Sequence, residues 1–257
     1  MISVIVCSVD AEKLAAVSAS YARAMGSHDY ELIGIHDALS LCEGYNRGLQ
    51  RARGGYIVFS HDDVELPGQE LGERIEHNFA TFDVFGIAGT TVLSGMSWAH
   101  SGLARARGVL TQSKDNVLDV QLLGVTAPQM GSMQALDGVW IAASAEVARR
   151  VAFDSVTFDG WHGYDTDFSF RCHLAGFRVG VVADIPLVHA STGKVDAAWL
   201  HYARRFREKH SASIQGTHGQ WLDVLMRVGS TDEMLAAYDI DSLRLQTEIV
   251  RKLLAAT

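Results

Sequence analysis

Residues Tyr56 to Leu66 read Tyr-Ile-Val-Phe-Ser-His-Asp-Asp-Val-Glu-Leu, and no other stretch restricts the fold as much. The first four side chains form a continuous apolar run, the pattern of a strand covered on both faces. The run stops abruptly at His61, Asp62, Asp63 and Glu65. Strands buried on both faces belong to α/β sheets, and acids at their C-terminal ends open onto the crevice where such sheets bind ligands. Strand alternation puts His61, Asp63 and Glu65 on one side and Asp62 on the other. Asp63 and Glu65 would then stand about 6–7 Å apart and repel by about 2–3 kcal/mol at a mid-range dielectric, a cost that a divalent cation reverses. A solvated acidic turn after a core strand explains the same residues more plainly, so the neighbouring sequence has to decide.

Upstream, Ile2 to Val9 is short, apolar and β-branched, and reads as a central strand. Asp10 is placed to cap a helix over Glu12 to Met25, whose Leu14, Val17, Tyr21 and Met25 recur at helical spacing. Tyr30 to His36 is a second strand, ending at His36-Asp37, and Leu41 to Arg53 a second helix, closed by Gly54-Gly55. Strand, helix, strand, helix, strand implies a parallel sheet with right-handed crossovers. No Gly-x-Gly-x-x-Gly follows the first strand and no Walker loop occurs, which removes the usual dinucleotide and P-loop readings. The strand ends offer Ser8 and Asp10, then Asp37, then His61 to Glu65, so a nucleotide lying across them would meet polar side chains rather than a glycine loop.

Gln69 to Thr81 reads as a helix and Val84 to Thr91 as a fourth strand weakened by glycines. Residues 93–133 are irregular, with Trp98, His100, Arg105, Arg107 and a β-like run at Val117 to Leu123. They form a loop-rich insertion or an antiparallel β excursion, the kind of segment that holds a substrate. Ala135 to Ala143 is strand-like and contains Asp137-Gly138; Ser144 to Val151 is helical. A helix over Asp165 to Ala175 carries Phe168, Cys172 and Ala175 as its buried stripe. Short strands follow at Phe177 to Ala183 and Ile185 to His189. Residues 1–195 are therefore expected to form the main domain. Residues 196–257 read as a helical C-terminal extension over Ala197 to His210, Gln220 to Val228 and Thr231 to Ala256. Leu243, Ile249, Leu253 and Leu254 are available there for packing or an oligomer contact.

Charge and cysteine usage narrow the function classes. A net charge of -8 over 257 residues gives no basic face for nucleic acid, while phosphate ligands stay open because a metal can carry the positive charge locally. Cys7, Cys42 and Cys172 are far apart and make no Cys-x-x-Cys pair, which points away from structural zinc and disulfides and toward a reducing compartment. The chain starts directly in a strand, and no apolar run is long enough to span a bilayer, so a cytoplasmic protein with at most peripheral membrane contact is expected.

A second acidic cluster lies at Trp161-His162-Gly163-Tyr164-Asp165-Thr166-Asp167. Asp165 falls at a helix start, where the dipole favours a carboxylate, so Asp165 or Asp167 could be a simple cap. The crowding of aromatics and a glycine hinge into the same turn argues for more than a cap. His189 ends a short strand; imidazole beside carboxylates suits Mn2+ or a similar ion.

These stretches, taken in order, resemble the family-two-like glycosyltransferases of the GT-A fold, which use nucleotide-sugar donors. The likeness rests on Ile2 to Val9, on Tyr45-Asn46-Arg47-Gly48 followed by Gly54 to Phe59, on Phe158 to Arg171, and on Leu187-Val188-His189. It spans roughly Ile2 to Trp199. His61-Asp62-Asp63 stands where the family has Asp-x-Asp, and Tyr164-Asp165 where it has Glu-Asp.

The resemblance implies a GT-A fold with a mostly parallel central sheet flanked by helices. It implies transfer of a sugar to an acceptor hydroxyl with inversion, on a glycan, lipid-linked or protein acceptor. A divalent metal, Mn2+ or Mg2+, would sit on Asp63 and His189 with His61 or Asp62 assisting, and Asp165 would be the general base. Ser8, Asp10, Asp37 and Asn46 would lie near the nucleoside and Asp137 near the donor sugar or acceptor. Two other readings remain open on the sequence: a degenerate nucleotide-sugar-binding module and a metal-dependent hydrolase of the donor. A nucleotidyltransferase would need a glycine-rich basic loop, which Val9-Asp10-Ala11-Glu12 is not.

Overall fold

The computed structural model describes residues 1–114, 117–191, 193, 195–221 and 225–255. It opens with β1 (Ile2–Cys7), α1 (Ala11–Met25), β2 (Tyr30–Ile35), α2 (Leu41–Arg51) and β3 (Tyr56–Ser60), in the order the apolar periodicities require. Asp10 caps α1 by accepting from the Glu12 and Lys13 amides, and Ser40 caps α2 through Glu43. β1 pairs in parallel with both β2 and β3, so the first three strands form the parallel unit expected of them. The chain continues through β4 (Val64–Glu65), α3 (Leu71–Phe79), β5 (Val84–Gly86) and β6 (Ala88–Thr90). A 3-10 turn at Trp98–Ser101 follows, then β7 (Ala106–Lys114), β8 (Val117–Leu123), β9 (Gln129–Met130), β10 (Ala135–Leu136) and β11 (Trp140–Ser144). It ends with α4 (Ala145–Val151), α5 (Tyr164–Leu174), β12 (Val179–Val182), β13 (Val188–His189), α6 (Ala197–His210), β14 (Leu225–Val228), α7 (Thr231–Ala237) and α8 (Ile240–Ala255).

Two sheets share the work. The first runs β2-β1-β3-β11-β5-β12-β9 and the second β10-β6-β7-β13-β4, with β8 and then β14 added beside β7. The first sheet is mixed rather than mostly parallel, because β11 enters antiparallel between β3 and β5. Its core is Trp140, Tyr21, Tyr45, Phe59 and Phe85, all fully buried; the Trp140 indole donates to the Tyr21 hydroxyl at 3.1 Å, so burying these two polar atoms leaves neither unpaired.

Three expectations are corrected. Val84–Thr91 is not one strand: the chain crosses from the first sheet to the second at Ile87. Ala135–Ala143 likewise splits around Asp137–Val139, where the Asp137 side chain accepts from the Val139 amide and turns the chain between sheets. Of the helix expected over Gln220–Val228, residues 222–224 lie outside the described residues and Leu225–Val228 is a strand: it pairs antiparallel with β8, and Arg227 reaches Asp119 across the ladder at 2.8 Å. Residues 93–133 take the antiparallel β form, through the β7–β8 hairpin. The C-terminal helix breaks at Tyr238-Asp239 into α7 and α8, with Met234 and Leu243 buried; the Leu253 and Leu254 side chains and residue 256 lie outside the described residues. Among the described residues no helix is long and apolar enough to cross a membrane.

Candidate active site

The site begins where β3 runs out. After Ser60 the chain bends through Asp62 and Asp63 and re-enters a strand at β4, which pairs antiparallel with β13, His189 opposite Val64. That pairing carries His189 to Asp63, its Nε2 lying 3.1 Å from Asp63 Oδ1. His61 Nδ1 is 3.3 Å from His189 Nε2 and 3.8 Å from Asp63 Oδ1. The bend interrupts the strand alternation, so Glu65 is exposed and stands apart; Asp63 is met by two imidazoles and the Ser191 hydroxyl, not by a second acid. Burial alone would raise the Asp63 carboxyl, but bonds to His189 and Ser191 and the two nearby histidines hold it well below the usual range. Burial and the neighbouring His189 lower His61, keeping its imidazole neutral.

Tyr164, the first residue of α5, locks this cluster from behind. Its hydroxyl is 2.6 Å from His61 Nε2 and 3.0 Å from the Gly138 carbonyl, to which it can only donate. His61 must then donate from Nε2, which leaves the Nδ1 lone pair facing Asp63 and His189. Gly138 is required by the same close approach: a Cβ there would come within 2.6 Å of Asp165 Cβ.

Asp165 is half-buried beside this turn. Enclosure by protein atoms, and then the charge of Asp137, push its carboxyl up to about 7, against the pull of backbone amides including that of Gly138. Asp137 is held by the Trp98 indole at 2.8 Å and the Val139 amide at 2.9 Å. Asp165 and Asp137 line a cleft of about 440 Å³ with His61, His189, Trp98 and Trp199. A second pocket of about 260 Å³ adjoins it, lined by Ser8, Val9, Ile35, Leu41, Asp62 and Asp63. His61, Ser191 and Trp161 line both, so the histidine–aspartate cluster stands at the junction.

The residues singled out in the sequence fall into two groups. Ser8, His61, Asp62, Asp63, Asp137, Asp165 and His189 all line one or other pocket. Ser8 donates to Asp62 at 2.6 Å, tying the ends of β1 and β3 together. Asp10 is spent on capping α1, and Asp37 is exposed and paired with Arg47 at 2.9 Å. Asn46 is not brought to the site: its amide both donates to and accepts from the Phe153 backbone, at 2.8 and 2.9 Å. Asp167 also turns away, into the core with Arg171, Lys209 and His210. Sequence reasoning missed the hydroxyls of Tyr164 and Ser191 and the gathering of tryptophans. Only Tyr164 carried a signal, as the departure from Glu-Asp beside the departure at His61.

The model of the glycosyltransferase-like family matches residues 3–216. The chain belongs to that family. No curated protein matches the sequence. Among solved structures it is similar to the mannosyltransferase PcManGT from Pyrobaculum calidifontis, in complex with GDP-Man and Mn2+, at 12% identity and a TM-score of 0.51, over 100% of this chain and 75% of that one. It is also similar to residues 1–349 of S. aureus TarS, in complex with UDP-GlcNAc, at 12% identity and a TM-score of 0.47, over 76% of this chain and 59% of that one, so it spans under two thirds of the TarS chain. The fold of this family member is the GT-A arrangement of mixed sheets and flanking helices.

Proposed function

We propose that this glycosyltransferase-like chain transfers a sugar from a nucleoside-diphosphate sugar to an acceptor hydroxyl, with inversion at the anomeric carbon. The observation that carries the reading is the position of the His61–Asp63–His189 cluster between two pockets, with Asp165 in the wall of the larger one. The nucleoside goes to the smaller pocket, near Ser8 and Asp62. The sugar and acceptor go to the larger pocket, near Asp137.

The donor atoms fit a divalent cation. Their separations of 3.1, 3.3 and 3.8 Å are close to the roughly 3 Å spacing of adjacent ligands around an ion with bonds of about 2.1 Å. Two imidazole nitrogens and one carboxylate suit a transition-metal ion such as Mn2+ more than they suit Mg2+ or Ca2+, which prefer oxygen ligands. A bound cation would supply Lewis-acid stabilisation of the charge left on the departing nucleoside diphosphate. Asp165 takes the acceptor hydroxyl proton as that oxygen forms its bond to the anomeric carbon, while the anomeric carbon–phosphate oxygen bond breaks and its electron pair leaves with the diphosphate. A carboxyl poised near 7 suits a base at neutral pH, and such a base contributes about 10²–10⁴ in rate.

Calorimetric titration of UDP and GDP, each with and without Mn2+, on wild type and Asp63→Ala tests the reading. Binding that needs both metal and Asp63 is expected. Binding indifferent to both removes the diphosphate from the cluster, and binding with no sugar transfer to any acceptor leaves a degenerate binding module.

A further inference from the structure

The chain has five tryptophans. Trp140 is core, at 0% exposure, and the other four, Trp98, Trp161, Trp199 and Trp221, all line the larger pocket. They reach it from the 3-10 turn, the loop before α5, the first turn of α6 and the loop before β14, so no local sequence repeat explains the gathering. Trp161 is 50% exposed. Trp98 and Trp221 meet edge to face with ring centres 5.9 Å apart. Trp98 is buried at 8% exposure and Trp199 and Trp221 are half-buried, so the indole surface open to water is that of Trp161 with parts of Trp199 and Trp221, and such aromatic surface is costly unless something covers it.

A third pocket of about 270 Å³ continues the arrangement. It shares Trp199 and Met96 with the large cleft, and on its far side Leu200, Arg204, Arg207 and His218 line it. Gln112 and His162, the latter 3.8 Å from the Asp196 carboxylate, stand between the aromatics of the large cleft. A purely apolar occupant would strip water from these polar groups without replacing its hydrogen bonds. A ring with apolar C–H faces and a hydroxyl-bearing rim covers the indoles and pairs with the polar groups together.

We propose that the acceptor is a saccharide at least two units long, stacked on the tryptophan faces of the large cleft and continuing past Trp199 into the pocket lined by Arg204 and Arg207. This rests on the transferase reading above and names its acceptor class. The saccharide unit nearest Asp165 presents the accepting hydroxyl, and the next unit lies along α6. Trp199 is the aromatic part of the wall that the two pockets share with Met96, so acceptor length depends on it.

The test is a tryptophan-fluorescence titration with neutral gluco-, galacto-, manno- and N-acetylhexosamine trisaccharides, in saturating UDP or GDP with Mn2+. Wild type, Trp199→Ala and Trp199→Phe are compared, and nucleotide affinity is measured on each by calorimetry. At least one trisaccharide is expected to bind saturably, about tenfold more weakly in Trp199→Ala, a loss of about 1.4 kcal/mol. Most of the affinity returns in Trp199→Phe, the corresponding monosaccharide binds more weakly than the trisaccharide, and nucleotide affinity stays within about twofold throughout. A protein that binds nucleotide but no trisaccharide overturns the inference and leaves the transferase reading standing. Trisaccharide binding that ignores Trp199→Ala overturns it as well. Trisaccharide binding that depends on Trp199 in a protein that binds neither nucleotide supports the saccharide site and overturns the donor half of the proposed function.

Discussion

Two faces of the first turn of α5 carry aspartates two residues apart that behave in opposite ways. On the cleft face, Asp165 meets enclosure and another acid, Asp137, and its carboxyl rises to about 7. On the core face, Asp167 is more deeply buried, at 1% exposure, yet its carboxyl is lowered. Burial alone would raise it, but His210 at 2.8 Å, Arg171 at 2.7 Å and Lys209 at 2.7 Å outweigh that cost. Depth of burial therefore does not set the state of a carboxylate; the charge facing it does. The lesson is also about roles. Asp167 clamps α6 onto α5, which holds Trp199 at the rim of the cleft, while Asp165 is left short of counter-charge and poised to accept a proton.

The comparison breaks most sharply under mutation. Asp165→Asn is expected to lower kcat by about 10²–10⁴, measured as sugar transfer, with no loss of melting temperature. Asp167→Asn is expected to do the reverse. It leaves Lys209 with Asp154 and Arg171 with the Val151 and Ala152 carbonyls but removes the buried carboxylate they share, and is expected to destabilise the fold by about 1–3 kcal/mol, read by denaturant unfolding. If Asp165→Asn unfolds the protein while Asp167→Asn only slows it, the roles are exchanged. Gly138→Ala drives a methyl group into Tyr164 and Asp165, and a displacement near 1 Å is expected to cost about 10² in kcat while nucleotide affinity holds. Tyr164→Phe keeps the ring and removes the hydroxyl that orients His61, so Mn2+ affinity, measured by calorimetry or paramagnetic resonance, is expected to fall about 10- to 100-fold.

The smallest and most discriminating effect is in pH. Asp165 must be ionised to act, so kcat/KM is expected to rise with pH and level off above an apparent pKa of about 7. For stability the two acids pull apart. Asp165 keeps a proton that the unfolded chain releases near 3.8, so its contribution to stability declines as pH rises from about 4 to 7; Asp165→Asn should be the more stable form above pH 7. Asp167 is lowered, so its contribution is complete above the unfolded value and is lost as pH falls through the depressed one. Melting curves of the two variants between pH 3 and 9, roughly the span of these transitions, separate the effects.

How far the sequence could be read follows from how each signal is built. The β1–α1–β2–α2–β3 unit was legible because apolar periodicity and capping residues are local, and each element's pattern ends at its own cap or glycine. His61, Asp63 and His189 were legible as separate strand ends, but not the reason Asp63 and His189 touch, which is the β4–β13 pairing of Glu65 with Val188 and Val64 with His189, far apart in the chain. Glu65 was misjudged because alternation was extended through a bend that only the next strand's partner imposes. Asn46 was misplaced because its contact is with the Phe153 backbone, which no local pattern announces. The Leu225–Val228 segment looked helical in isolation and is a strand because β8 offers it an edge.

The sequence by itself determined the parallel opening unit, the acids and histidines at the strand ends, and the family, because these depend on residue order and short-range periodicity. Tertiary structure alone decided which of those residues meet. It set antiparallel β11 between β3 and β5, put Tyr164 behind His61, turned Asp165 to the cleft and Asp167 to the core, and collected four tryptophans from four separate segments around one pocket. The physical reason is that contacts between distant segments are chosen by the packing of whole sheets and helices, where burial and charge partners are settled together.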